Sequence, residues 1–204
     1  TVVWAMPVAA QTMTGCDKGQ ARIATEALKR AKDLTVKAAS QIGDTPEYSR
    51  WFGTYTEARA ETVRSNLKAI VSAMRTGGVT IQCHQSGAPA CSNAEYAWVY
   101  PHRQFHVNIC APFFTLPPLE ALRPGERRSD NGTREGTMVH EISHFNAVAR
   151  TDDHCYSRSE CADMAEEDAW RAVENADSYQ YFTEDVTYYA RQLITNKPAP
   201  APRP

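Results

Sequence analysis

TMVHEISHFNAVARTDDHCY, residues 137–156, sets His140 and His144 four residues apart with Glu141 beside the first, then adds Asp152, Asp153 and His154 after a short gap. On a helix, side chains at i and i+4 share a face one turn apart, the separation two imidazoles need to hold one ion. Glu141 lies between them in sequence and can reach a water on that ion. Met138, Val139, Ile142 and Phe145 make the rest of the segment apolar, so the polar triplet would be buried at a cost unless it bound something. The spacing predicts a helix over about 133–147 and the signature of a zinc hydrolase.

A catalytic zinc needs a third protein ligand and an open position for water. A metzincin would place a histidine six residues after His144, where this chain has Arg150. A gluzincin would use a glutamate on a following helix, and Glu166 or Glu167 could serve. Asp152 and Asp153 are both within reach of a turn leaving the helix. Spacing leaves these options open. His84, His102 and His106 lack ligand spacing and read as structural or surface groups.

Upstream, Ile23, Ala27, Ala31, Leu34 and Ala38 recur at helical spacing, which predicts an amphipathic helix over 17–40 that ends at the Gly43-Asp44-Thr45-Pro46 turn. A second pattern over 48–74, through Trp51, Tyr55, Ala58, Val63, Leu67, Ile70 and Met74, stops at Gly77-Gly78 and completes an N-terminal helical hairpin. VTIQC, YAWVY and FHVNIC are short, β-branched and aromatic, and read as strands of one small sheet. Downstream, 160–175 reads as a further helix. The expected class is α+β, with a zincin-like single domain of two lobes over 1–196. KPAPAPRP (197–204) reads as a disordered tail, and TVVWAMPVAAQ as a processed end or a buried strand.

The six cysteines include no Cys-x-x-Cys pair, and their even number suggests disulfides and export. Cys155 and Cys161 can close a small loop, and proximity along the sheet pairs Cys16 with Cys83 and Cys91 with Cys110. Asn131-Gly132-Thr133 is a glycosylation sequon in a polar turn. No run of about 18 apolar residues occurs, so no membrane span is expected. The formal net charge of -2 hides an asymmetry: residues 151–187 carry eleven acids against two arginines, whereas 18–75 carry eleven basic residues against six acids. That distribution disfavours a nucleic-acid partner and favours a metal or a cationic ligand.

The run HEISHFNAVARTDDHCY is similar to the signature of the deuterolysin family of aspzincin metalloendopeptidases, His-Glu-x-x-His followed by Gly-Thr-x-Asp-x-x-Tyr. Thr151, Asp153 and Tyr156 fall on the second block, and Arg150 stands where the family has glycine. Asn175-Ala176-Asp177-Ser178-Tyr179 with Phe182 resembles the family's Asn-Ala-Asp-x-Tyr-x-x-Phe segment.

The resemblance implies one zinc ion held by His140, His144 and Asp153, with Glu141 as general base and Tyr156 as donor to the oxyanion. It implies a secreted, monomeric endopeptidase that hydrolyses peptide bonds with a zinc-activated water and binds its substrate as an extended strand along a sheet edge, YAWVY or FHVNIC. In the lysine-specific members, an Asp and a Glu three residues later line the pocket for the residue after the cut bond. Here those positions are Asp177 and Gln180, which implies a preference for Lys or Arg weaker than two carboxylates would give. The rivals are a zinc hydrolase of gluzincin type using Glu166 or Glu167, and a catalytically silent zincin-like binding module.

Overall fold

The apolar stripe of 17–40 becomes α1 (Lys18–Ser40). Asp17 caps it, accepting a hydrogen bond from Gln20 N at 2.8 Å, while Gln20 Oε1 accepts one from Asp17 N at 3.0 Å. This reciprocal pair satisfies two donors that the first turn would leave orphaned. Buried Ala24, Ala27, Ala31 and Ala38 keep its inner face flat, so that neighbouring helices approach closely. The computed structural model describes residues 12–75, 78–91, 95–122 and 132–195, with side chains described as far as Thr187. The N-terminal end, Asn131 and the 197–204 tail lie outside them.

The second expected helix is two: α2 (Pro46–Phe52) and α3 (Glu57–Arg75). Gly53 breaks it with φ of 72°, where an added Cβ would come within 2.6 Å of Ala165 O and Ala169 Cβ. Glycine is required there both for the angle and for the close approach. The apolar periodicity runs through the break because both helices face the same core.

The three expected strands are β2 (Thr80–Cys83), β3 (Ala97–Val99) and β4 (His106–Ile109), and β1 (Thr12–Thr14) joins them. The order is β1-β2-β4-β3, with β1, β2 and β4 parallel and β3 antiparallel at one edge. YAWVY therefore supplies an edge, whereas FHVNIC is paired on both sides. Ile81, Val107 and Ile109 are fully buried on the face that meets the helices.

Two 3-10 turns, Ala111–Thr115 and Leu119–Ala121, precede α4 (Arg134–Ser143). Beyond it lie α5 (Arg158–Glu167), α6 (Ala169–Val173) and α7 (Ala176–Thr195). The helix expected over 160–175 is thus two, because the Asp168 side chain accepts from Arg171 N at 3.1 Å and starts a new helix there. All three expected disulfides are present, Cys16–Cys83, Cys91–Cys110 and Cys155–Cys161.

α7 is the central packing element, in contact with α1, α2 and α4. Its Tyr179, Tyr181 and Phe182 pack on Trp51 and Phe52 of α2, with ring centroids 5.0–5.3 Å apart. It also buries a charged network. Arg158 Nη1 donates to both oxygens of Asp185 at 2.9 and 3.0 Å, and Nη2 to Glu184 at 2.7 Å. The guanidinium lies 4.4 Å from the Tyr181 ring centroid. Glu184 in turn accepts from Thr133 N at 2.9 Å and Thr133 Oγ1 at 2.8 Å. Thr133 caps α4 by accepting from Gly136 N at 3.0 Å. The network therefore locks α5, α7 and the start of α4 together. Gly136 must lack a side chain because Glu184 and Gln180 occupy the space a Cβ would take.

Removing the shared cation would leave two buried carboxylates without their common counter-charge. Arg158→Ala is expected to destabilise the protein by roughly 3–5 kcal/mol, read as a large fall in the urea midpoint. A variant as stable as the parent would show that the network contributes nothing.

Candidate metal centre

α4 delivers two of the three expected ligands. Capping by Thr133 fixes its start, and Met138, Val139, Ile142 and Phe145, all fully buried, fix its rotation. The helix ends at Ser143, sooner than expected, but His144 keeps helical angles (φ -67°, ψ -25°). The i and i+4 relation of the imidazoles survives. The chain then reverses through Arg150, whose φ of 54° is left-handed, so the turn holds that conformation without the glycine of the resembling pattern. Thr151 follows, and Ser143 Oγ and Thr151 Oγ1 lie 2.6 Å apart, joining the two sides of the turn.

Asp153 meets the histidines there. His140 Nε2 is 3.2 Å from His144 Nε2 and 3.2 Å from Asp153 Oδ1, which is 3.4 Å from His144 Nε2. Among the described residues this is the one group of three or more His, Cys, Asp or Glu side chains able to converge on an ion. Donors about 2.0–2.1 Å from a tetrahedral zinc lie about 3.3–3.4 Å from one another. The three atoms form one face of such a tetrahedron, so the residues fit zinc.

The outer nitrogens are also committed. His140 Nδ1 donates to Asp177 Oδ1 at 2.7 Å, and His144 Nδ1 to the Thr151 carbonyl at 2.9 Å. Each proton is thereby held on Nδ1, leaving the Nε2 lone pair for metal. Burial opposes the His140 imidazolium, yet the Asp153 and Asp177 carboxylates outweigh it and raise its pKa well above the usual histidine value. His144 is raised in the same way, against burial, chiefly by Asp153. Asp153 is held far below the ordinary carboxylate range by the two imidazoles, although burial works the other way.

Glu141 is buried beside these groups; burial pushes its carboxyl up, and the imidazoles partly offset the shift. Tyr156 is 64% exposed. Partial burial and the neighbouring Asp153 raise its pKa, so the phenol keeps its proton.

Glu166 and Glu167 lie on the exposed face of α5, outside the cluster, which removes the gluzincin ligand set. Asp152 is exposed and accepts from Asp153 N at 2.9 Å, not from an imidazole. Asp177, expected in a substrate pocket, is 5% exposed and bonded to His140. Gln180 is buried against Gly132 and Gly136. The Thr151 carbonyl is a backbone partner with no residue-type signal, and sequence reasoning missed it. It also missed Asn175, although the Asn-Ala-Asp run contained it.

The family described as lysine-specific metallo-endopeptidase, an aspzincin family, matches residues 37–184. The chain is 30% identical over 179 residues to a peptidyl-Lys metalloendopeptidase of Pleurotus ostreatus, covering 85% of this chain and 96% of that protein. It is 31% identical over 175 residues to an extracellular protease of Aeromonas hydrophila, covering 84% of this chain and 46% of that longer protein. The solved structure of a zinc peptidase from Grifola frondosa superposes with a TM-score of 0.70 at 27% identity, covering 83% of this chain and 97% of that chain.

Asp153→Ala is expected to abolish most zinc affinity in a metal titration, and Glu166→Ala and Glu167→Ala to leave it intact; the reverse ranking would reassign the third ligand. Because the histidine pKa values are raised, the metal-free site holds protons near neutrality that zinc must displace. Zinc affinity should therefore fall with decreasing pH, by about tenfold per unit for each proton displaced, and calorimetry in buffers of different ionisation enthalpy counts those protons.

Proposed function

The chain belongs to the lysine-specific metallo-endopeptidase family, and from that premise we propose that it is a secreted, zinc-dependent endopeptidase that favours Lys or Arg on the amine side of the cut bond. The observation that carries the reading is the triangle of His140, His144 and Asp153 donor atoms, 3.2–3.4 Å on each side. All three donors, the base and the phenol come from one chain, which supports action as a monomer. A core cluster running from Ala24 to Phe182 without a break supports a single metallopeptidase domain.

A bound zinc supplies Lewis acidity, which makes water ionisable near neutral pH and polarises a carbonyl. Glu141 takes the proton of the attacking water on its carboxylate and hands it to the leaving amine. A carboxyl with a raised pKa suits both halves of that transfer. Tyr156 donates its phenolic hydrogen to the oxyanion that forms on the carbonyl oxygen. His140 and His144 are fixed in orientation by Asp177 and Thr151. β3 is the edge along which an extended peptide adds through main-chain hydrogen bonds. Intact Glu141 and Tyr156 speak against a catalytically silent module.

Glu141, Asp153 and Asp177 surround the site, leaving one negative charge in excess after a divalent metal is counted. That excess favours a cationic substrate side chain. Asp177 commits Oδ1 to His140, and Gln180 contributes no charge, so the preference is weaker than two free carboxylates would give. Three disulfides support export to an oxidising compartment. Among the described residues no helix is long and apolar enough to cross a membrane.

Glu141→Gln should retain zinc and lose turnover by about 10²–10⁴-fold; a fully active variant would remove the base from the mechanism. Mapping the wild-type cleavage sites on a mixed peptide library should show Lys, then Arg, enriched directly after the cut. An even distribution would end the specificity assignment while leaving the peptidase intact.

A further inference from the structure

Asp153 is the one ligand not carried by α4. It sits in irregular backbone, and such a segment places a ligand to a fraction of an ångström only when its own polar groups are tied. The residue before it is tied by main chain: Asp152 N donates to Glu174 O at 2.7 Å, and Ala176 N donates to Asp152 O at 3.0 Å. The residues after it are tied by one side chain. His154 N and Cys155 N both donate to Asn175 Oδ1, at 2.8 and 3.3 Å.

Asn175 is itself wholly buried. Its Nδ2 faces Ser178 Oγ at 3.2 Å and Cys161 Sγ at 3.7 Å, which fixes the direction in which the amide oxygen points. Two residues on, Asp177 holds His140. The Cys155–Cys161 bridge closes the loop beyond the ligand, but it bonds to neither N–H group that follows Asp153.

We propose that Asn175 is a positioning residue of the metal centre, its amide oxygen fixing the backbone after Asp153 and thereby setting where that carboxylate meets the two imidazoles. The inference rests on reading His140, His144 and Asp153 as a zinc site. Asn175→Ala removes the acceptor and leaves two N–H groups to find water or other partners. Asn175→Asp keeps an oxygen in place for both N–H groups and exchanges the donor end for a carboxylate oxygen, toward which the Ser178 hydroxyl can turn to donate. Val173→Ala, a core change before the same turn with Val173 2% exposed, provides a control for lost stability alone.

Three quantities are measured for each protein: zinc affinity by competition with a chromophoric chelator, the visible absorption of the Co²⁺-substituted protein, and the melting temperature without metal. Asn175→Ala should weaken zinc by roughly 10–100-fold and alter the Co²⁺ bands. Asn175→Asp and Val173→Ala should keep near-native affinity and bands even where their metal-free melting temperatures fall. Native affinity in Asn175→Ala, a loss in Asn175→Asp as large as in Asn175→Ala, or an equal loss in Val173→Ala would overturn the proposal. Should Asn175→Ala fail to fold, the Asn175→Asp result decides alone, native affinity supporting the role and a tenfold loss refuting it. A wild-type protein that takes up no zinc would instead defeat the reading of the site itself.

Discussion

The approach of α7 to α4 is the constraint on which the rest of the molecule depends. Two glycines make it possible, Gly132 at the turn and Gly136 in the first helical turn, because α7 side chains fill the space their Cβ atoms would take. At this distance Glu184 reaches the cap of α4, and Asp177, two turns earlier on α7, reaches the outer nitrogen of His140. One helix thus sets both the start of α4 and the orientation of the His140 imidazole. Both imidazoles of the candidate site are thereby placed by helix packing, the kind of support that leaves little positional error.

The acidic bias of the distal third gains a physical account from this arrangement. Asp177, Glu184 and Asp185 are buried and Asp153 is more open, yet each has a cationic or hydrogen-bonding partner: the two imidazoles, Arg158, Thr133 and Trp51. Among the described residues the exposed acids of α5 have no such side-chain partner. Net charge alone does not separate the two populations, since burial and pairing decide which acids act within the fold and which are merely solvated.

Most of what could be read from the chain beforehand depends on near neighbours in sequence, the Cys16–Cys83 bridge across 67 residues being an exception. The His140 and His144 pair follows from helical spacing, the three strands from β-branched runs, and the pairing of Cys155 with Cys161 from their separation of six residues. The breaks at Gly53 and Asp168 were hidden because apolar periodicity persists when two short helices face one core. β1 was missed as a strand of three residues, Thr12–Thr14, that is ordered by its partner β2 rather than by its own pattern. The bond from Asp177 to His140 spans 37 residues and becomes visible only once α4 and α7 are packed.

Arg150 carries a consequence for how such chains are recognised. The turn after His144 demands a left-handed residue, and this chain supplies one with an ordinary L side chain at φ 54°, at a cost of about 1–2 kcal/mol. The side chain is exposed, so many residue types meet the same requirement at a similar cost. A search pattern that insists on glycine at that position encodes a letter where the fold needs an angle. Patterns written in permitted backbone angles, with residue types attached as energies, would retain chains like this one and still reject those whose turn cannot close.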